Sequence, residues 1–179
     1  MKLKKNVMLY SMIVSLMFAG VLASAAADVP EYPFKGASKD NGTAIKFCLW
    51  PDIAWPNNKY VQGLNLGIVS FGDKGYVIGA DIGFASLTNY VRGAQLAFYG
   101  QGKVMHGGQV ALVNINKDVI GAQVGIYNGT DVMGKGAQVG IVNNAKTSDA
   151  IQIGLINIMD NGFLPVFPFF NFPKEWGTK

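Results

Sequence analysis

Groups able to do covalent or acid–base chemistry are scarce in this 179-residue chain: one histidine, His106, one cysteine, Cys48, and two glutamates, Glu31 and Glu175. His106 stands just before Gly107 with no carboxylate at a motif spacing, so it reads as a solvated turn residue rather than a general base. Cys48 falls where equivalent segments carry Gly, Ala or, in the last, Pro, which reads as small and buried. Asp73, Asp118, Asp131, Asp149 and Asp160 recur between apolar segments and read as turn formers, because the nine-residue Gly-Gly-x-Gly-x-Asp pattern of calcium-binding solenoids is absent. Asn41-Gly42-Thr43 and Asn128-Gly129-Thr130 match a glycosylation sequon but read as Asn-Gly turns. No glycine loop is followed by Lys and Ser/Thr, so no nucleotide cradle is expected. The expectation is a protein that is not an enzyme, with no catalytic, cofactor or metal site.

The chemistry that does recur is hydrogen bonding by side-chain amides. The phrase Gly-small-Gln-aliphatic-small-aliphatic-apolar-Asn begins at Gly107, Gly121 and Gly136 and, with Ala in first place, at Ala150, in steps of 14, 15 and 14 residues. Weaker copies begin at Gly93, Gly79, Gly63 and Ala44, and a ninth fits Leu164 to Asn171. A short fixed period marks a repeat protein in which each unit touches only its neighbours. Aligning the copies gives a glutamine column, Gln95, Gln109, Gln123, Gln138 and Gln152, and an asparagine column, Asn114, Asn128, Asn143, Asn157 and Asn171.

Each copy alternates apolar with polar or minimal residues over six to eight positions, which is a β-strand, and the segments between are rich in turn residues. Two all-β architectures satisfy one strand plus a short return. In a β-solenoid successive copies lie parallel, about 4.8 Å apart, and identical amides stack into ladders. In a small antiparallel outer-membrane β-barrel they alternate in direction, and the apolar seventh position (Val69, Val113, Val142) would face lipid. The return segments show no alternation with a period of 28, and Pro165 and Pro168 fit a closed barrel badly. The favoured reading is a single-domain solenoid of about nine coils, a rod of about 40 Å. Its thin core is expected to be filled by the fourth and sixth positions with the valines of the returns, and the Gln and Asn columns are expected to form an outward ladder face.

Both ends of the array are aromatic and proline-rich: Phe47, Trp50, Pro51, Trp55 and Pro56 at one, and Phe163 to Phe172 with Pro173 and Trp176 at the other. Such residues suit capping units. Phe167, Phe169, Phe170 and Trp176 form a candidate cap or, alternatively, an aromatic docking patch.

The division expected along the chain is a signal peptide at 1–27, an N-terminal extension at 28–43, the repeat domain at 44–172 and a tail at 173–179. The leader reading rests on Lys2, Lys4 and Lys5, the apolar run Val7 to Ala23, and the small residues around Ala25. The formal charge of +4 is largely a property of that leader; beyond it twelve basic residues face eleven acidic ones, leaving +1. No basic cluster remains, so nucleic acid is not an expected partner. A lone cysteine cannot make an internal disulfide.

Gly136-Ala137-Gln138-Val139-Gly140-Ile141-Val142-Asn143 and the closing Leu164-Pro165-Val166-Phe167-Pro168-Phe169-Phe170-Asn171-Phe172 resemble a bacterial surface-repeat family named after a leptospiral protein. The likeness spans residues 44 to 172. It departs in the early copies, where Asn65 and Asp81 stand for Gln, and Ser70, Ser86 and Gly100 for Asn. The resemblance implies an exported, envelope-associated protein and supplies no catalytic or ligand residues. The expected role is a structural or binding module in the periplasm, at the outer membrane or on the cell surface, with an envelope or surface partner.

Overall fold

The computed structural model describes residues 42–50 and 53–175, without the side chains of 71–74. The leader, nearly all of the N-terminal extension, Pro51 and Trp176 lie outside the described residues. Among the described residues seven strands follow one another: β1 (Thr43–Trp50), β2 (Ile53–Trp55), β3 (Tyr60–Leu96), β4 (Tyr99–Val110), β5 (Val113–Ser148), β6 (Ile151–Met159) and β7 (Val166–Asn171). They form one sheet in the order β2-β1-β3-β4-β5-β6-β7. β3 and β5 run for 37 and 36 residues, more than two repeats each, so the backbone stays extended around the corners of successive coils.

Register decides between the two architectures. Gln95 pairs with Gln109, Gln109 with Gln123 and Gln138 with Gln152, all between parallel strands. A step of 14 residues therefore brings the chain back to the same face in the same direction, and the fold is a β-solenoid rather than a barrel. Tyr76 and Tyr90 stack with ring centroids 4.8 Å apart, the spacing of neighbouring strands.

Eight copies, beginning at residues 44, 63, 79, 93, 107, 121, 136 and 150, form parallel turns. The ninth does not. After a turn closed by the Gly162 amide on the Met159 carbonyl, 3.0 Å, β7 runs back antiparallel on β6, pairing Ile153 with Phe170 and Gln152 with Asn171. Pro168 falls in the register shift between Gly154 and Asn157, where no ladder donor is required of it. At the other end β2 is antiparallel to β1, with Phe47 opposite Trp55. The expected nine coils are thus eight, closed at each end by a strand of reversed direction.

The interior also differs from expectation. The returns do contribute an apolar column, with Val91, Met105, Val119 and Met133 buried in contact with Ala145 and Ala150. The fourth and sixth positions do not fill the core: Val124 is half-buried and Ile126 is exposed. The strand interior is lined instead by the Gln and Asn columns. Alternation fixes which residues share a face but not which face is inside, and here the space decides. A side chain at the fifth position of the 121–128 strand would put its Cβ 2.8 Å from Asn114 Nδ2 and 3.1 Å from Asn128 Oδ1, so Gly125 leaves room for amides and for nothing larger.

The first position is constrained differently. Gly121 has φ of 127°, and a Cβ there would lie 2.0 Å from the carbonyl oxygen of Gly107 in the preceding coil. Only glycine accepts both the backbone region and the approach, which is why this residue opens each coil from Gly63 to Gly136.

Val139 and Ile153 are registered partners on the outside of β5 and β6, so in a Cys48→Ala background Val139→Cys with Ile153→Cys is expected to bridge under mild oxidation. Their Cα atoms should lie about 4.8 Å apart. The offset pair Val139→Cys with Leu155→Cys, about 8 Å apart, should stay reduced. Non-reducing electrophoresis reads both.

Candidate binding face

The amides highlighted by the sequence form two buried hydrogen-bonded chains. Gln152 Nε2 donates to Gln138 Oε1 at 2.7 Å, Gln138 to Gln123 at 2.7 Å, and Gln123 to Gln109 at 3.0 Å, with Gln109 in turn donating to Gln95. Every donor in this chain points toward the N-terminal end. The chain ends on Asp81, fully buried, whose carboxylate accepts from Gln95 Nε2 at 3.1 Å, Thr88 Oγ1 at 2.8 Å, Asn65 Nδ2 at 2.8 Å and the Ser86 hydroxyl. A carboxylate is an acceptor only, so Asp81 is the natural terminus for donors arriving from both sides.

The asparagine column runs the other way. Asn114 Nδ2 donates to Asn128 Oδ1, Asn128 to Asn143 and Asn143 to Asn157, each at 2.8 Å, and Asn157 ends the run on the carbonyl of Phe167 in the reversed strand at 3.1 Å. The same amides also donate to backbone carbonyls, for example Asn128 to Val139 at 3.0 Å. A head-to-tail chain leaves the acceptor of its first member unused. The two first members, Gln152 and Asn114, each carry a buried side-chain oxygen without a partner.

The columns stack as the sequence indicates from Gln95 to Gln152 and from Asn114 to Asn157, but Asn171 does not join the asparagine run, because the reversed β7 sets it opposite Gln152, and the stacked amides do not make an outward face. Gln95, Gln109, Gln123, Gln138, Gln152, Asn114, Asn128, Asn143 and Asn157 are all buried. A partner cannot reach them, and they are a structural spine. The terminal phenylalanines are divided: Phe167 is half-buried and meets Phe163 and Phe170 edge to face, at 6.1 and 5.4 Å between centroids, while Phe169 and Phe170 remain exposed.

Among the described residues the reactive groups are not gathered. His106 is buried rather than solvated; burial and then the neighbouring Arg92 push its pKa down, and Asp118 partly opposes them. Burial pushes the Cys48 thiol up against the pull of Lys46, with Asp81 adding to the rise. The Lys146 ammonium, 2.7 Å from Asp131, holds that exposed carboxyl below its usual range. No three His, Cys, Asp or Glu side chains among the described residues are grouped to hold a metal ion.

What the fold does present outward is apolar. With the third, fifth and eighth positions turned inward, the fourth and sixth stand on the outer face of every coil. The sixth position carries Ile68, Phe84, Phe98, Leu112, Ile126, Ile141 and Leu155, each 48% to 60% exposed. The fourth-position row beside it continues beyond the coils: Trp55 is paired with Phe47 at one end and Phe170 with Ile153 at the other, all exposed. Between the rows a shallow groove of about 500 Å³ is lined by Ile82, Leu96, Phe98, Val110, Leu112 and Val124 among others. No charged residue occupies the fourth to seventh positions of any of the eight coils. Reading these aliphatics as core missed this face; the available signal was the fifth-position glycine, which marks the crowded side of the strand.

No protein-family model matches the chain, and no curated protein or solved structure matches it.

Gln123→Leu substitutes a side chain of similar size and greater hydrophobicity, and would improve a conventional core. Here it strands the buried Gln138 donor, which is expected to cost about 1–3 kcal/mol. Gln101→Leu, at an exposed return position, should change stability by less than about 0.5 kcal/mol. Urea unfolding of the two variants checks the contrast.

Proposed function

We propose that the protein is an exported, non-enzymatic repeat module of the bacterial envelope or surface, which works by docking a flat apolar partner on its outward face. The observation that carries the reading is the continuous uncharged face from Trp55 to Phe170. Single apolar side chains on a surface are ordinary, but contiguous rows of them mark interaction sites. The amide spine supports the same reading, since it holds the rows rigid while contributing no group of its own to the surface. The basic, apolar and small-residue pattern of the leader and the resemblance to bacterial surface repeats support export and an envelope setting. The scattered positions of His106, Cys48 and the return aspartates favour binding over catalysis.

In a Cys48→Ala background, Ile126→Cys on the face and Lys117→Cys on a return are to be labelled with a membrane-impermeant maleimide in cells with and without outer-membrane permeabilisation. The expected result is labelling of Lys117→Cys and protection of Ile126→Cys until the protein is denatured. Equal labelling of the two would show an uncovered face and reject docking; labelling of neither until the cytoplasm is opened would reject export.

A further inference from the structure

We infer that the occupant of the apolar face is a second copy of this chain, packed face to face about a two-fold axis. The inference rests on the reading of that face as the docking surface, and it names the partner. The face is large enough for such a contact. An aromatic side chain presents about 150–250 Å² when fully exposed and large aliphatics somewhat less, so two rows of half-exposed side chains across eight coils offer on the order of 1,000 Å². That exceeds the largest apolar patch of a typical monomer, about 300–600 Å², and it meets the roughly 800 Å² per partner that a stable complex buries.

Its shape also fits a copy of itself. The face repeats along the rod at the strand spacing, seen in the 4.8 Å separation of Phe84 and Phe98, and its two rows are two residues apart, about 6.6 Å. A second copy has the same repeat, so its rows can settle into the groove between these rows over the whole length. Two β faces packing in this way, about 10 Å apart, make the core of a β-sandwich, and an isologous contact closes after two copies.

Its lack of charge permits the same contact. With no ionised group in the fourth to seventh positions, two identical faces meet without like-charge repulsion. A lipid surface is favoured less, because interfacial binders set basic residues around their apolar face. Here the equivalent return position carries Lys103, Lys117, Asp131, Lys146 and Asp160 in successive coils, a mixed row with no preference for anionic headgroups. The rod ends offer a poorer contact, since both carry a reversed strand and β7 contains Pro168. Lateral packing is the route that remains.

The test is the mass of the exported, processed protein by sedimentation equilibrium across the micromolar range. The expected mass is twice that of the chain, falling to half that value in Ile126→Lys with Ile141→Lys while the circular dichroism spectrum is kept. Lys117→Glu, on a return, should leave the dimer intact. Should the double variant not fold, Leu112→Cys in a Cys48→Ala background serves instead: its maleimide labelling is expected to be slow at high concentration and to accelerate on dilution. A wild-type monomer throughout the range would overturn the inference, as would a folded double variant that stays dimeric. Flotation with vesicles of phosphatidylcholine and phosphatidylglycerol separates the two levels of the account. A monomer that floats, with floating lost in the double variant, overturns the second copy but keeps the docking face; a monomer that does not float, with Ile126→Cys unprotected in cells, overturns both.

Discussion

The structure depends on a glutamine amide donating to the same amide one coil earlier. A side-chain amide has both a donor and an acceptor, so a column of them satisfies itself by translation, and each added coil supplies the partner that the previous one needs. Buried polar groups are costly only when unmatched. Once the amides are matched, the narrow interior of the coil can be polar, glycine can stand at the fifth position to make room, and the aliphatic residues of the same strand are left facing out. The apolar surface is thus a consequence of the amide spine rather than a separate feature.

Direction matters as much as pairing. The glutamine donors point toward Asp81 and the asparagine donors point toward the Phe167 carbonyl, so the two rows of side-chain dipoles oppose one another along the rod. Each row ends on a group that only accepts. The early copies, where Asp81 and Ser86 stand for the Gln and Asn of the phrase and Thr88 follows in the return, accordingly form a junction: donors from Asn65, Ser86, Thr88 and Gln95 converge on one carboxylate. The degeneracy of the first copies and the reversal of the last are the two places where a translational pattern has to stop.

Much of this was legible in the sequence, because register is written in residue identity. Gln109, Gln123 and Gln138 could stack only if the copies were parallel, and the absence of a 28-residue alternation already argued against a barrel. The inside and outside of the coil were not legible. Alternation is symmetric between the two faces, and the usual preference for buried aliphatics assigned Val124 and Ile126 to a core whose space beside Gly125 is already taken by the Asn114 and Asn128 amides. The reversal of β7 was hidden for a similar reason: Leu164 to Asn171 keeps the period and the closing asparagine, whereas its direction is set by the tight turn at Asp160–Gly162. His106 looked like a turn residue because its burial comes from the neighbouring coils and not from its own sequence surroundings.

The central claim, an amide spine inside an apolar exterior, is tested most directly by hydrogen exchange of side-chain amide protons followed by nuclear magnetic resonance. The Nε2 groups of Gln123 and Gln138 each donate along the ladder and lie out of contact with water, and their protons should exchange orders of magnitude more slowly than those of the exposed Gln62 and Gln101, approaching the protection of the strand backbone. Exchange of Gln123 and Gln138 as fast as that of Gln101 would place the ladder in solvent and contradict the account.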